Sequence, residues 1–507
     1  MMGCSTGQAG SMAKCSNFYF LGRIVPCRFE TSSPNFWLFC PINRLLTRPG
    51  RSSYSYINNV GKVITNTVNR MKRVPMRYML FVLTSLIVDV LVPGAATAQF
   101  NNIVLTPEGE SEHEPSVVIN RKNPRNIIVA ASQHVYRSSD GGATWETCKL
   151  SPEVANHGDN LVVSDRKGDL YLLHLSGEPG GRADRIACHV SKDFGATWSL
   201  AGVMAAPGAD VRNPSVTVDA KSGELHMVWT QFDAYGSDDA AHHSRVMISE
   251  SKEGKKWSTP IALSREGDCR DGNATPKGAS VVISREGYRV ATWSLEEKIY
   301  ADRSFDKGRM WLSNDIEVER QPGGTNLVIP GLADCCGLPI LLMNQTAGRF
   351  AGTLNLFWAD QRNGADDTDI WFSRSINYGD NWTPAARVND DPKGKHQYAP
   401  AAASDASSGN MYIVYYDRRD YDDNQTDVYL AFSRDQGATF NNVKISSLPF
   451  TPDSSVPSGD RIGIDVHNGV IATAWTRHDE GTTRIVFATM RESELTAPSN
   501  NASASPK

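Results

Sequence analysis

Six short segments of this chain repeat one pattern, and that repeat restricts the possible folds more than any other feature. They are SSDGGATW from Ser138, SKDFGATW from Ser191, SKEGKKW from Ser251, SFDKGRMW from Ser304, SINYGDNW from Ser375 and SRDQGATF from Ser433. Their central residues, Asp140, Asp193, Glu253, Asp306, Asn377 and Asp435, recur at intervals of 53 to 71 residues. An Asp or Asn here folds its side chain back onto N–H groups of a tight turn. The Gly supplies a positive φ, and the aromatic covers the gap between neighbouring sheets. Alternating strands such as HVYRS (134 to 138), DIWFSRS (369 to 375) and DVYLAFS (427 to 433) precede the turns, so each unit contains a stapled hairpin. Such turns stabilise a fold and carry no catalytic role.

A second repeat runs ahead of the first: EPSVVIN (114), GDNLVVS (158), NPSVTVD (213), GASVVIS (278), GLPILLM (337), APAAASD (399) and DRIGIDV (460). Each opens an apolar strand, and a second strand rich in Trp or Tyr follows. That makes seven units of four strands, the composition of propeller blades. The expectation is an all-β, seven-bladed β-propeller over residues 99–492, with a six-bladed ring containing one degenerate unit as the alternative. The seventh unit shows only three strands before the polar tail at 493–507, expected to be disordered. QFNNIVLT (99 to 106) is similar to TFNNVKISS (439 to 447), the fourth strand of unit six. Residues 100 to 106 are therefore expected to complete the seventh blade and close the ring.

The N-terminal part follows other rules. Met71 to Arg77 is basic, Tyr78 to Val92 is apolar except for Asp89, and Ala96-Thr97-Ala98 supplies small residues for cleavage. This reads as a signal peptide over 71–98, and the apolar run is too short for a bilayer span. Because such signals begin a chain, residues 1–70 are expected to be an upstream artefact or a disordered leader, with Met71 or Met76 the true start. Secretion or periplasmic export follows, and a monomer is expected. Net charge is −4, without the basic excess that nucleic-acid binding needs. Five cysteines lie beyond the signal. The connections entering units four and five share one face, so Cys269 is expected to bridge Cys336, or alternatively Cys335. No Cys or His cluster at metal spacing stands out, and no cofactor is expected.

FWADQRNGADDTDIWFSRS, RVNDDPKGKHQYAP and YYDRRDYDDNQTDVYLAFSRD, together with the Asp-box turns, resemble the BNR-repeat, sialidase-like superfamily. The resemblance implies a secreted glycoside hydrolase acting on an acidic or complex glycan. The superfamily also holds non-catalytic glycan- or protein-binding propellers, and propellers elsewhere carry polysaccharide lyases, so both remain open. The Arg-Ile-Pro segment of sialidases is absent. The arginines of INRKNPRN (119 to 126) fall instead between two strands of the first unit.

Strand parity indicates where to look for a site. In a four-stranded antiparallel blade, the two-to-three loops and the blade connections share the face opposite the repeated turns. Glu114, Asp159 and Asp460 sit at the starts of inner strands and form the pool for acid and base roles, which need two carboxylates about 5 to 9.5 Å apart. Arg212, Asp360, Arg362, Asp417, Arg418 and Arg477 are the expected substrate-binding residues, the arginines gripping an anionic sugar. His113, His157 and His478 would serve a lyase.

Overall fold

The computed structural model describes residues 100–148, 154–332, 337–455 and 461–495, together with the short strands Tyr19–Phe20 and Arg23–Ile24. The chain divides into two compact units, Met1–Ala95 and Ala96–Lys507. In the first, the two short strands pair antiparallel. The signal segment, most of the leader and the tail beyond 495 lie outside the described residues.

The second unit is a seven-bladed β-propeller. Its inner strands are Ser116–Ile119, Leu161–Ser164, Asp210–Val218, Lys277–Ile283, Ile340–Met343, Gln397–Ser404 and Gly463–His467. Each pairs antiparallel with the next strand in sequence, which pairs with the third, which pairs with the outer. Seven sheets rule out the six-bladed alternative. In blade 3 the outer strand is split into Lys256–Trp257 and Ile261–Ala262.

The seventh blade takes Gly463–His467, Val470–Asp479 and Thr482–Arg491 from the C-terminal end and Asn102–Val104 from the N-terminal end, as the sequence similarity predicts. Asn102 pairs with Ala488 and Val104 with Val486. Leu105 N–H then donates to the Ile485 carbonyl at 2.8 Å, and Ile485 N–H donates to Thr106 Oγ1 at 2.8 Å. The N-terminal strand thereby covers the edge of Thr482–Arg491, which would otherwise be left unpaired.

Second strands are buried throughout, with Trp229, Trp293, Trp358 and Trp475 among the largest enclosed side chains. The repeated turns lock neighbouring blades. Asp140 Oδ1 accepts from Ala143 N and Thr144 N, both at 2.9 Å, while Ser138 Oγ accepts from Gly142 N at 2.8 Å. Trp145 then meets Phe487 of blade 7 edge-on, with ring centroids 4.7 Å apart. Phe440 does the same to Phe372 of blade 5 at 5.3 Å. Glu253 in blade 3 departs from the pattern. Its turn is one residue shorter, its backbone holds φ 61°, and its carboxylate pairs with Lys255 at 2.8 Å.

Candidate functional site

Every inner strand runs from one face of the ring, here called upper, to the other. The upper face carries the blade connections and two-to-three loops, and the lower face carries the repeated turns. At the start of the inner strands of five blades stands a left-handed residue: Glu114 (φ 55°) and Asp159 (54°) just before the strand, and Asn213 (49°), Gly278 (70°) and Ala399 (48°) at a bulge near its beginning. Where Cβ is present this conformation costs about 1–2 kcal/mol. Its recurrence at Ala399 and Gly278 shows that it serves entry into the inner strand and is no mark of chemistry by itself. Below these residues lies a cavity of about 310 Å³ on the ring axis, lined by Asn213, Arg461, Pro214, Pro339, Pro400 and other inner-strand residues.

Two of the three expected carboxylates stand just before the inner strands of adjacent blades 1 and 2. Asp159 Oδ1 lies 3.4 Å from an Arg461 guanidinium nitrogen, and both side chains are largely shielded from solvent. Glu114, on the adjacent blade, lies 3.8 Å from His113 Nδ1, and its N–H donates to Thr476 Oγ1 at 3.3 Å. Burial lowers the pKa of His113 against the opposing pull of Glu112 and Asp159, which keeps the imidazole neutral at pH 7. The starts of these two inner strands thus carry two carboxylates and a neutral imidazole, with a guanidinium beside Asp159. Asp460, the third expected carboxylate, lies outside the described residues, next to Arg461. Sequence reasoning missed Arg461 as a site residue; its only signal was its place at the start of the seventh inner strand.

The expected substrate-binding residues divide into two groups. Asp360, fully buried, takes a bond from Trp358 Nε1 at 2.8 Å and binds Arg362 through Nε at 3.0 Å and through a terminal nitrogen at 2.6 Å. Asp417, also fully buried, binds Arg419 at 2.7 Å and accepts from Gln397 Nε2 at 3.2 Å. Burial raises both carboxyls, Asp417 to about 6, in spite of the arginines beside them. Arg418 is buried over the Tyr398 ring and donates to Thr426 Oγ1 and Asn424 Oδ1. These four residues brace the two-to-three loops of blades 5 and 6. Arg477 makes a two-pronged pair with Asp479 at 2.7 and 2.5 Å.

Arg212 forms the second group. It lies 4.6 Å from the centroid of Tyr235. The Tyr235 hydroxyl donates to Asp271 Oδ2 at 2.8 Å, and Lys277 Nζ binds Asp271 Oδ1 at 3.1 Å and Asn326 Oδ1 at 2.6 Å. Tyr235 is exposed. This run of polar groups across blades 3 and 4 gives the upper face an aromatic surface flanked by charge, and no sequence motif announced it.

Cys269 is buried with a free thiol, and its expected partner Cys336 lies outside the described residues. On the upper face, Glu110 and Glu112 converge on His134. Glu112 is fully buried and already accepts from Ser132 Oγ, Gln133 N and His134 Nδ1 at 2.8, 3.0 and 2.5 Å, so it serves as an anchor for its loop.

No family model matches this chain, and no curated protein matches it. Solved propellers do. A Hadza microbial sialidase is 13% identical, with 73% of this chain and 74% of that one covered at a TM-score of 0.43. A GH93 α-L-arabinofuranosidase of Fusarium graminearum is 12% identical over 78% and 99% of the two chains, TM-score 0.44. A sialidase from Streptococcus pneumoniae is 8% identical over 73% and 84%, TM-score 0.44. Among the described residues, no helix is long and apolar enough to cross a membrane.

Proposed function

We propose that the protein is an exported glycoside hydrolase whose chemistry sits at the upper mouth of the channel and whose substrate is an acidic or complex glycan. The observation that supports this reading is that Glu114 and Asp159 stand just before the inner strands of adjacent blades, each beside a different kind of neighbour. Asp159 has a guanidinium 3.4 Å away. Glu114 has an imidazole that burial keeps neutral. Unlike surroundings are what an acid and a base acting on one bond require. In this reading Glu114 donates the proton to the leaving oxygen, and Asp159 acts as the ionised partner opposite. Arg461 and Arg212 supply positive charge for a carboxylate on the sugar, and the exposed Tyr235 ring supplies a face for its apolar side. Asp460 stays in the pool of carboxylates through its place beside Arg461. Export rests on the signal-like segment 71–98.

The test is a screen of the purified protein against sialosides, uronate-containing polysaccharides and neutral aryl glycosides. Hydrolysis of an acidic substrate supports the proposal. An unsaturated product from a uronate polymer would instead indicate elimination, and saturable glycan binding without turnover would make the propeller a recognition module.

A further inference from the structure

On the lower face, away from the proposed site, the turn between the first two strands of blade 3 gathers a different set of groups. Asp219 N–H donates to the Glu224 carbonyl at 2.9 Å, so these residues stand opposite each other at the end of the hairpin, and Thr217 pairs with His226. Side chains two apart on a strand share a face, which puts Asp219, Glu224 and His226 on one side of the sheet. One ligand atom from each lies within 4.8 Å of the others. The same side packs against blade 4, where Thr217 Oγ1 donates to the Val281 carbonyl at 2.8 Å.

His226 gives this cluster its significance. Its side chain is 1% exposed, and neither ring nitrogen has a hydrogen-bond partner. A buried imidazole without partners is destabilising, because each polar atom has lost water and gained nothing in return. The nearest other acid, Glu250, lies 4.0 Å from His226 Nδ1 and is committed to Arg289 of blade 4, whose second terminal nitrogen binds it at 2.9 Å.

We propose that Asp219, Glu224 and His226 form a divalent transition-metal site, with Zn²⁺ the cation it fits best, at the lower rim of blade 3 where it packs against blade 4. A nitrogen with two carboxylate oxygens is a borderline donor set, suited to Zn²⁺ and poorly suited to Ca²⁺, which takes oxygen ligands alone. Asp219 accepts from Lys221 N and Ser222 Oγ, both at 2.7 Å. The turn therefore orients the carboxylate. Glu224 is the adjustable ligand. Its contacts are Lys252 at 3.8 Å, itself 83% exposed, and Ser222 Oγ at 3.4 Å. Tetrahedral Zn²⁺ with bonds of about 2.0–2.2 Å sets its ligands about 3.4 Å apart, a closure that a swing of Glu224 supplies. Three protein ligands leave the fourth position to solvent.

The experiment uses the full chain after dialysis against a chelator. Zn²⁺ is titrated by calorimetry, Co²⁺ by visible absorption, and Ca²⁺ serves as the contrast. One equivalent of Zn²⁺ should bind and raise the melting temperature, with a Co²⁺ spectrum showing a nitrogen ligand. Glu224→Gln and Asp219→Asn, both at the surface turn, should each weaken Zn²⁺ binding at least tenfold while circular dichroism stays unchanged. His134→Gln, at the acidic cluster of the opposite face, should leave binding intact. Absence of Zn²⁺ binding, preference for Ca²⁺, or binding that survives Glu224→Gln and disappears in His134→Gln would overturn the assignment.

Discussion

His174 and His189 face each other across neighbouring strands of blade 2 with their Nε2 atoms 3.1 Å apart. His174 Nδ1–H donates to the Leu175 carbonyl at 2.8 Å, which makes its Nε2 an acceptor and His189 Nε2–H the donor. Both rings are neutral in this arrangement. Burial lowers both, His174 to about 4. The unfolded chain protonates His174 near its ordinary value of about 6.5. The contribution of His174 is thus fully present above pH 6.5 and is lost as pH falls from there towards 4, by on the order of 3 kcal/mol. Denaturant unfolding at several pH values should show this acid limb, and His174→Gln should flatten it.

Asp159→Asn and Glu114→Gln each preserve shape while removing an ionisable group at the channel mouth. On a substrate found by the screen, either change should lower kcat about a hundredfold or more, with an unchanged melting curve. Full turnover in both variants would move the chemistry elsewhere.

Asp360→Asn should behave in the opposite way. It leaves Arg362 beside a neutral amide in a buried position, and breaking a buried pair costs about 3–5 kcal/mol. The expected result is a lower melting temperature with KM little altered; a pure KM effect would place Asp360 in substrate binding.

Removing residues 99–106 should strip blade 7 of its outer strand and expose the edge of Thr482–Arg491. Lower thermal stability and concentration-dependent aggregation are expected by differential scanning fluorimetry and light scattering. Unchanged behaviour would mean that the ring does not depend on its closing strand.

Gly437→Ala should be among the costly single changes. The backbone there has φ +81°, and an added Cβ would lie 2.3 Å from the Phe372 ring of blade 5. Left-handed strain and overpacking act together, for a loss of about 2–4 kcal/mol in chemical denaturation.

Periodicity made the architecture readable from the sequence. Ser138, Asp140, Gly142 and Trp145 act within eight residues, so the chemistry of their turn is local and repeats wherever the pattern repeats. The counts of inner-strand starts, and the similarity of residues 99 to 106 to residues 439 to 447, carry the blade number and the closure. Glu253 shows the limit of such reading, since one residue fewer changes what its turn can bond.

Local pattern could not assign the polar residues of the loops. Asp360 and Asp159 look alike in sequence, each an acid at a strand end. Burial and a neighbouring Arg362 turned one into a brace. Arg461, some 300 residues away in sequence, became the partner of the other only because closing the ring brings blades 2 and 7 to one axis. His226 is similar: the sequence shows Glu-x-His, while its missing partners follow from how blade 4 covers it. What the sequence determined by itself are the short-range interactions that build each blade. Only the tertiary structure decided which distant side chains share a dry, crowded space, because that depends on seven blades packing at once.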